Sequence, residues 1–408
     1  MVPPTDVPDL VRSNEGENPT RAFALGLLVR VVVGVLVGVA VVDVLVGAFG
    51  GESGARGNAS VMTLDPELGW TNVPNYAGDG ETTNALGLRS PGIPADAPAD
   101  EVRVVVCGAS NTYGLAERDE DTWAPKLEAL LAERAEPAPR VLNGGVQGYS
   151  LIQACRRAGR LIDAVEPDLV VVVLFPSRQA LVDTSPALTW TRVGEHLVPT
   201  ELVSAWPEAL RGVPAAIHRT LMRSNLYSRY RAKTQFSAGV GPKLSEYILT
   251  GSEPPEPIRG PLEETRAELR ELVDYAAEQG VELRFVVTVE TRGANEEQWR
   301  TWLTNGAKNG SPPLDTPMDA PFDALAALIE SAGGTPWDLR ETLYAMCADW
   351  ERNVNGRLHW SPTGHTMVAE DWARRIADEG LLETLSTRRA ANPREAAPLD
   401  AAEGDAGR

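Results

Sequence analysis

The chain has 408 residues, with 38 Lys and Arg against 57 Asp and Glu, giving a formal net charge of −19. Hydrophobic residues make up 43 % and charged residues 23 %, a globular composition that excludes disorder throughout. The length allows two or three domains, or one enlarged domain with appendages. The acidic balance argues against nucleic acid as a partner, since such a surface releases few counterions from a phosphate backbone. Cys107, Cys155 and Cys347 are widely separated and form no CxxC pair, which excludes a disulfide framework and gives no zinc signature. Cys107 and Cys155 lie in apolar runs and read as small buried hydrophobes; a single disulfide stays open if the domain lies outside the cytoplasm. His196, His218, His359 and His365 are the four histidines, too few for a metal centre of several imidazoles. No metal or cofactor is expected.

Residues 1–21 are rich in Pro, Asp, Glu and Asn and read as a disordered tail. Ala22 to Phe49 form the most apolar stretch, interrupted by Arg30 and Asp43. It exceeds the roughly 20 apolar residues needed to cross a bilayer, so it is expected to be an uncleaved single-span anchor rather than a buried helix or a cleaved signal peptide. Arg12, Arg21 and Arg30 precede its centre and Arg56 follows it. That bias keeps the first tail cytoplasmic and places the rest outside, as a single-pass membrane protein. Residues 50–100 are expected to be a linker segment packing on a domain at 101–380, and 381–408 a second disordered tail.

Within the domain, strand-like and helix-like segments alternate. Val102–Cys107 and Arg140–Leu142 read as strands. Leu169–Phe175 is continuously apolar, as a strand covered on both faces would be. Val281–Val289 is a fourth strand. Helices are expected at Trp123–Arg134, with Asp121 or Thr122 as N-cap, at Leu151–Val165, and at Leu262–Gln279, stopped by Gly280. The alternation implies βαβ units and a mainly parallel sheet. At about 180–260 the pattern loosens into an insertion, either a lid or docking surface or an ordinary surface elaboration.

Ligands of open parallel sheets bind outside the carboxyl ends of the strands. Three strands end there in Gly108-Ala109-Ser110-Asn111-Thr112-Tyr113-Gly114, Asn143-Gly144-Gly145-Val146-Gln147-Gly148 and Pro176-Ser177-Arg178. Near the end of the domain stands Leu358-His359-Trp360-Ser361-Pro362-Thr363-Gly364-His365. A Ser after a strand can present its hydroxyl at the sheet edge, and glycine amides can approach a developing oxyanion without a Cβ in the way. A His before a helix with Ser361 as N-cap and Pro362 in its first turn can fold back and take the serine proton. His365, one turn into that helix, reads as structural. Trp360 fits either a sugar or acyl site or the core, and Arg178 either an anion contact or a solvated cation.

These segments resemble the blocks of the SGNH/GDSL hydrolase family, in particular its membrane-anchored bacterial members. GDS-x-T-x-G is matched by Gly108 through Gly114, N-x-G-x-x-G by Asn143 through Gly148, and the final D-x-x-H block in part by His359 through His365. Asp65 through Trp70 and Asn84 through Arg89 are similar to the segment that joins anchor to catalytic domain in those members. The resemblance covers roughly 65–380. It implies a flavodoxin-like three-layer α/β/α sandwich, here preceded by one transmembrane helix, and no cofactor. Ser110 would be the nucleophile and His359 the general base. Ser110 and Gly148 would supply oxyanion-hole amides.

The chain departs from the family pattern at three places. Ala109 replaces the block-one Asp. Ser177-Arg178 replaces the third-block Asn-Asp, so the Ser177 hydroxyl is the remaining side-chain candidate for the oxyanion hole. Gly356 stands where the acid partner of the histidine belongs, leaving Asn355, Glu351, Asp349 or a main-chain carbonyl to orient the ring. The function expected is a membrane-anchored serine esterase or acyl-hydrolase acting outside the cytoplasm on a small-molecule or carbohydrate ester, O-acetyl carbohydrate among them. The alternatives are an O-acyltransferase of envelope polysaccharide, or an SGNH-fold binding or scaffold protein that has lost catalysis.

Overall fold

The computed structural model describes residues 61–65, 67–78, 80–94, 97–177, 190–193, 196–199, 205–221, 248–254, 256–289, 294–306, 312–355 and 359–394. The expected tail at 1–21 and the apolar segment 22–49 lie outside them. Among the described residues, no helix is long and apolar enough to cross a membrane.

The described chain begins with two antiparallel ribbons, β1 (Met62–Asp65) with β2 (Gly69–Asn72), and β3 (Ala77–Gly78) with β4 (Glu81–Thr82). The central sheet opens at β5 (Arg103–Cys107), followed by the one-turn helix α1 (Ser110–Tyr113) and by α2 (Trp123–Ala132). Next come β6 (Arg140–Asn143), α3 (Leu151–Val165) and β7 (Leu169–Leu174). β5 and β7 are buried almost throughout because helices cover both faces, which is why they read as unbroken Val/Leu runs rather than alternating ones. Ser150 caps α3 in a reciprocal box with Gln153. Thr122 does occupy the N-cap of α2, but its hydroxyl donates to the Asp119 carbonyl at 2.8 Å instead of capping.

The loosely patterned insertion contains the antiparallel pair β8 (Trp190–Val193) and β9 (His196–Pro199) and the helix α4 (Gly212–Leu221). It is rooted at the sheet, since Ser177 and Ile248 form an antiparallel bridge at the end of β7. The next helix, α5 (Glu256–Glu278), begins six residues before the expected Leu262. Pro261 removes a single intrahelical donor near the helix start, and the fully buried Ile258 anchors that first turn. β10 (Glu282–Val287) and α6 (Glu296–Gly306) follow, then α7 (Ala320–Ser331) and the short strand β11 (Pro336–Asp338). The chain closes with α8 (Arg340–Ala348), α9 (Trp350–Asn353), the ribbon of β12 (Val354–Asn355) with β13 (His359–Trp360), α10 (Pro362–Asp378) and α11 (Leu381–Ala391).

The sheet order is β11-β10-β7-β5-β6 with every pair parallel, the flavodoxin-like 2-1-3-4-5 arrangement read from the other edge. Helices α3, α5 and α7 pack together as one layer, while α2 packs on α10, which also carries α8, α9 and α11. The result is an α/β/α three-layer arrangement whose order reverses between β5 and β7. That reversal opens a crevice at their carboxyl ends, where Ser110 and Ser177 emerge.

The expected disordered tail from 381 needs correction. Leu381, Leu382 and Leu385 bury one side of α11, and the ordered chain runs on to Arg394. Arg394 donates to Asp168 Oδ2 at 2.7 Å and to the carbonyls of Glu101 and Glu166, and Arg389 donates to Asp168 Oδ1 at 2.8 Å. Asp168 is fully buried and also accepts the Arg103 amide, so it ties the tail to the amino-terminal ends of β5 and β7. Asp168→Ala, which strands the buried Arg394 guanidinium, is expected to cost about 3–5 kcal/mol in urea denaturation.

Candidate active site

Ser110 is the first residue of α1, at the carboxyl end of β5. Gly108 lets this turn form, because a Cβ there would fall 2.2 Å from Thr112 Oγ1 and 3.1 Å from Val173 Cβ. His359 starts β13 in the ribbon before α10. Its Nε2 lies 3.0 Å from Ser110 Oγ across 249 positions of sequence. With the ring proton on Nδ1, the serine hydroxyl donates to Nε2. Asn111, next to the serine, accepts the Trp360 amide on Oδ1 at 3.3 Å and so ties the serine turn to the histidine ribbon. Ser361 caps α10 by accepting the Gly364 amide, with Pro362 in the first turn, as the sequence predicts.

Burial lowers the His359 pKa from the ordinary value of 6.5. The imidazole is therefore neutral near pH 7 and able to accept a proton. Among the candidates for orienting it, Asp349 and Glu351 are exposed, and neither bonds the ring among the described contacts. Gly356 and the Asn355 side chain lie outside the described residues.

Gly148 follows β6 in a turn with φ +77°, a conformation that favours glycine. Among the described residues, neither its amide nor that of Ser110 donates to a protein acceptor. Both amides lie on loops that follow the carboxyl ends of the adjacent parallel strands β5 and β6. Asn143 organises this loop: its Oδ1 accepts the Gly145 amide at 3.0 Å and its Nδ2 donates to the Tyr113 carbonyl at 3.3 Å. Ser177 sits half-buried at the end of β7. The strand order thus places β5, with Ser110, between the strands that lead to Gly148 and Ser177. Arg178 lies outside the described residues.

Trp360 is fully buried, which assigns it to the core and not to a sugar or acyl surface. His365 is also buried, edge-on to Trp360, and its Nδ1 has no hydrogen-bond partner among the described residues. All three cysteines are buried and none forms a disulfide among the described residues, and burial pushes the Cys107 and Cys347 thiols up to about 12.

The segment before the domain contributes residues that motif matching left without a role. Arg89 is buried, paired with Asp119 at 2.8 Å, and donates to the carbonyls of Tyr113, Gly114 and Glu117, fixing the turn after α1. Asn72 Nδ2 donates to the carbonyls of Gly87 and Gly145, both at 2.9 Å. Trp70 lies against the Gly148 turn. For Trp70 and Arg89 the sequence signal lies in the matched segments 65–70 and 84–89, without a partner from spacing alone; Asn72 lies outside both segments.

No protein-family model matches the chain, and no curated protein matches it in sequence. Solved structures to which it is similar include the psychrotrophic esterase EstA from Pseudoalteromonas sp., inhibited by monoethylphosphonate. That likeness has 11 % identity and a TM-score of 0.36, covering 68 % of this chain and 98 % of the other. A catalytic mutant of the acetylxylan esterase Axe2 from Geobacillus stearothermophilus is 15 % identical at a TM-score of 0.36, over 67 % and 94 %. The lipase/acylhydrolase from Enterococcus faecalis is 12 % identical at a TM-score of 0.34, over 68 % and 96 %.

Burial also carries a cost at His365, whose pKa is held down at about 3. Below the ordinary 6.5 the unfolded chain binds a proton that the native state refuses, so stability falls as pH drops from 6.5 towards 3. The whole span corresponds to roughly 5 kcal/mol. Urea midpoints measured across that range should fall steeply for the wild type and more shallowly for His365→Phe.

Proposed function

We propose that the chain is a serine esterase or acyl-hydrolase of the SGNH type, working with a Ser110–His359 pair. The observation that carries this reading is the 3.0 Å contact between Ser110 Oγ and a neutral, half-buried imidazole. Ser110 Oγ attacks the acyl carbon as its proton passes to His359 Nε2. The carbonyl oxygen takes up the charge and is held by the Ser110 and Gly148 amides. Collapse expels the alcohol, which receives the proton from His359, and leaves an acyl-serine. Water then attacks with the same histidine as base, releasing the acid and restoring the hydroxyl. If a sugar hydroxyl attacks in place of water, the pair performs acyl transfer.

The Ser177 hydroxyl would be a third oxyanion donor, a role supported by its place just past the end of β7, the strand next to β5. The proposed setting is the outer face of a membrane, with residues 22–49 as the anchor, and O-acetylated envelope carbohydrate is the substrate class that fits it. Deletion of residues 1–49 is then expected to move the protein from the membrane pellet to the soluble fraction; a wild type that already fractionates as soluble excludes the anchor.

The full chain should be labelled by a fluorophosphonate probe, and Ser110→Ala should abolish labelling. Ser110→Ala or His359→Ala should lower kcat on a p-nitrophenyl acetate-type ester by roughly 10⁴-fold or more. Because His359 must be neutral to act, kcat/KM should rise with pH through a midpoint below 6.5 and stay level above it. A wild type that resists the probe and hydrolyses no ester excludes catalysis and favours the binding module.

A further inference from the structure

The Gly148 amide is a donor only if its turn holds still, and the sheet does not supply that restraint. Gly148 is exposed, lies five residues past β6 and has left-handed φ. What borders it comes from outside the parallel-sheet domain. The Trp70 indole Nε1 donates to the carbonyl of Gln147, the residue before Gly148, at 2.9 Å. The Trp70 carbonyl accepts the hydroxyl of Tyr149, the residue after it, at 2.7 Å. The ring of Tyr149 meets the Trp70 indole edge-on at 6.0 Å. Between these two bonds, Trp70 Cζ2 lies 3.5 Å from the place a Cβ on Gly148 would take, so the indole packs against the turn itself.

The same ribbon secures the rest of the loop. Leu68, Val146 and Tyr149 form a small buried cluster apart from the main core, with Trp70 packed on it. Gln153 Nε2 donates to the Leu68 carbonyl at 2.7 Å, and Arg157 joins the Gly144 carbonyl to Thr71 Oγ1. Among the described residues, these ties lead from the loop to β1, β2 and the turn between them.

We infer that Trp70 is a positioning residue for the reaction: it fixes the Gly148 amide from both sides, so that the ribbon ahead of the domain completes the oxyanion hole. This rests on the serine-esterase reading for its catalytic consequence but not for its geometry. With the short Ser177 side chain in place of the family Asn, the oxyanion depends chiefly on the two main-chain amides, and misplacing one is costly. Losing a whole oxyanion donor slows acyl transfer by about 10²–10³-fold; loosening one is expected to cost about 10-fold.

Trp70→Phe keeps an aromatic ring on the cluster and removes the Nε1 donor. Tyr149→Phe removes the opposite bond. In the full chain, each should lower kcat about 10-fold with KM within about 2-fold of wild type and the pH midpoint of kcat/KM unmoved. Deuterium uptake over residues 143–150 should quicken in both. That segment is a usable reporter because the Gly144 and Val146 amides are bonded to the Val106 and Gly108 carbonyls. Unchanged uptake in Trp70→Phe overturns the inference whether or not the protein hydrolyses esters. Quickened uptake with unchanged kcat in an active wild type also overturns it, since the turn would then move without consequence. A wild type inert towards esters and probe removes the esterase reading, and loop uptake alone then decides whether Trp70 holds the turn.

Discussion

Gly145 lies against the main chain of α1 with no room for a side chain. A Cβ there would fall 2.4 Å from the Tyr113 nitrogen and 2.7 Å from the Thr112 carbonyl carbon, and backbone atoms cannot swing aside as a side chain would. This close approach lets the loop after β6 and the turn after β5 behave as one body. Asn143 then bonds both, and Asn72 reaches the Gly145 carbonyl from the ribbon. Because β5 and β6 are adjacent parallel strands, both loops leave the same sheet edge, and the contact seats the Gly145 loop directly against the helix that begins at Ser110. The histidine is added to this body through Asn111 and Trp360. The candidate site is thus three loops joined by short side chains, with the sheet fixing only where each begins.

Much of this was legible in the residues. Runs such as Val104-Val105-Val106 and Val170 to Val173 can be buried on both faces in a parallel sheet, and the helix Leu151–Val165 carries its own cap. The Ser110 and His359 segments could be paired because a serine after a strand and a histidine before a capped helix suit the same chemistry. β11 was not legible: three residues, Pro336-Trp337-Asp338, have no alternation, and parallel pairing to β10 makes them a strand. The tail from 381 misled for a related reason. Its helix has little amphipathic pattern, and Arg389 and Arg394 resemble solvated charge until Asp168 is seen beneath them. Trp70 was invisible as a functional residue because its partners lie 77 and 79 positions away.

Only four of the 38 cationic side chains are lysines, a bias that composition alone leaves without structural meaning. Several of the arginines are internal clamps. Arg89 gathers three carbonyls beyond α1 while paired to Asp119, Arg157 joins Gly144 to Thr71 and Gly87, and Arg394 spans Glu101, Glu166 and Asp168. A planar guanidinium offers five donors in a fixed fork, so one side chain can satisfy several buried acceptors that an ammonium would reach less well. Two of these clamps, Arg89 and Arg157, join the segment before the domain to loops of the candidate site. That segment is therefore part of the folded body, and its charges serve its packing.

For the proposed Ser110–His359 dyad, burial would have consequences for rate. A carboxylate beside an imidazole would raise its pKa and stabilise the imidazolium formed as the serine attacks. Among the described residues burial is the influence on His359, and it works the other way, lowering the pKa of the ring and making it a weaker base. Removing the orienting acid of a protease triad costs about 10⁴ in turnover. In the proposed reaction a dyad without such an acid would draw its barrier reduction from the oxyanion hole, which acts on developing charge without needing the imidazole to be strongly basic. The exactness of the Gly148 turn would then matter more than in a full triad. That places unusual weight on the ribbon that borders it, and it gives a physical reason for the buried bonds of Asn72, Trp70 and Arg157 to converge on a single loop.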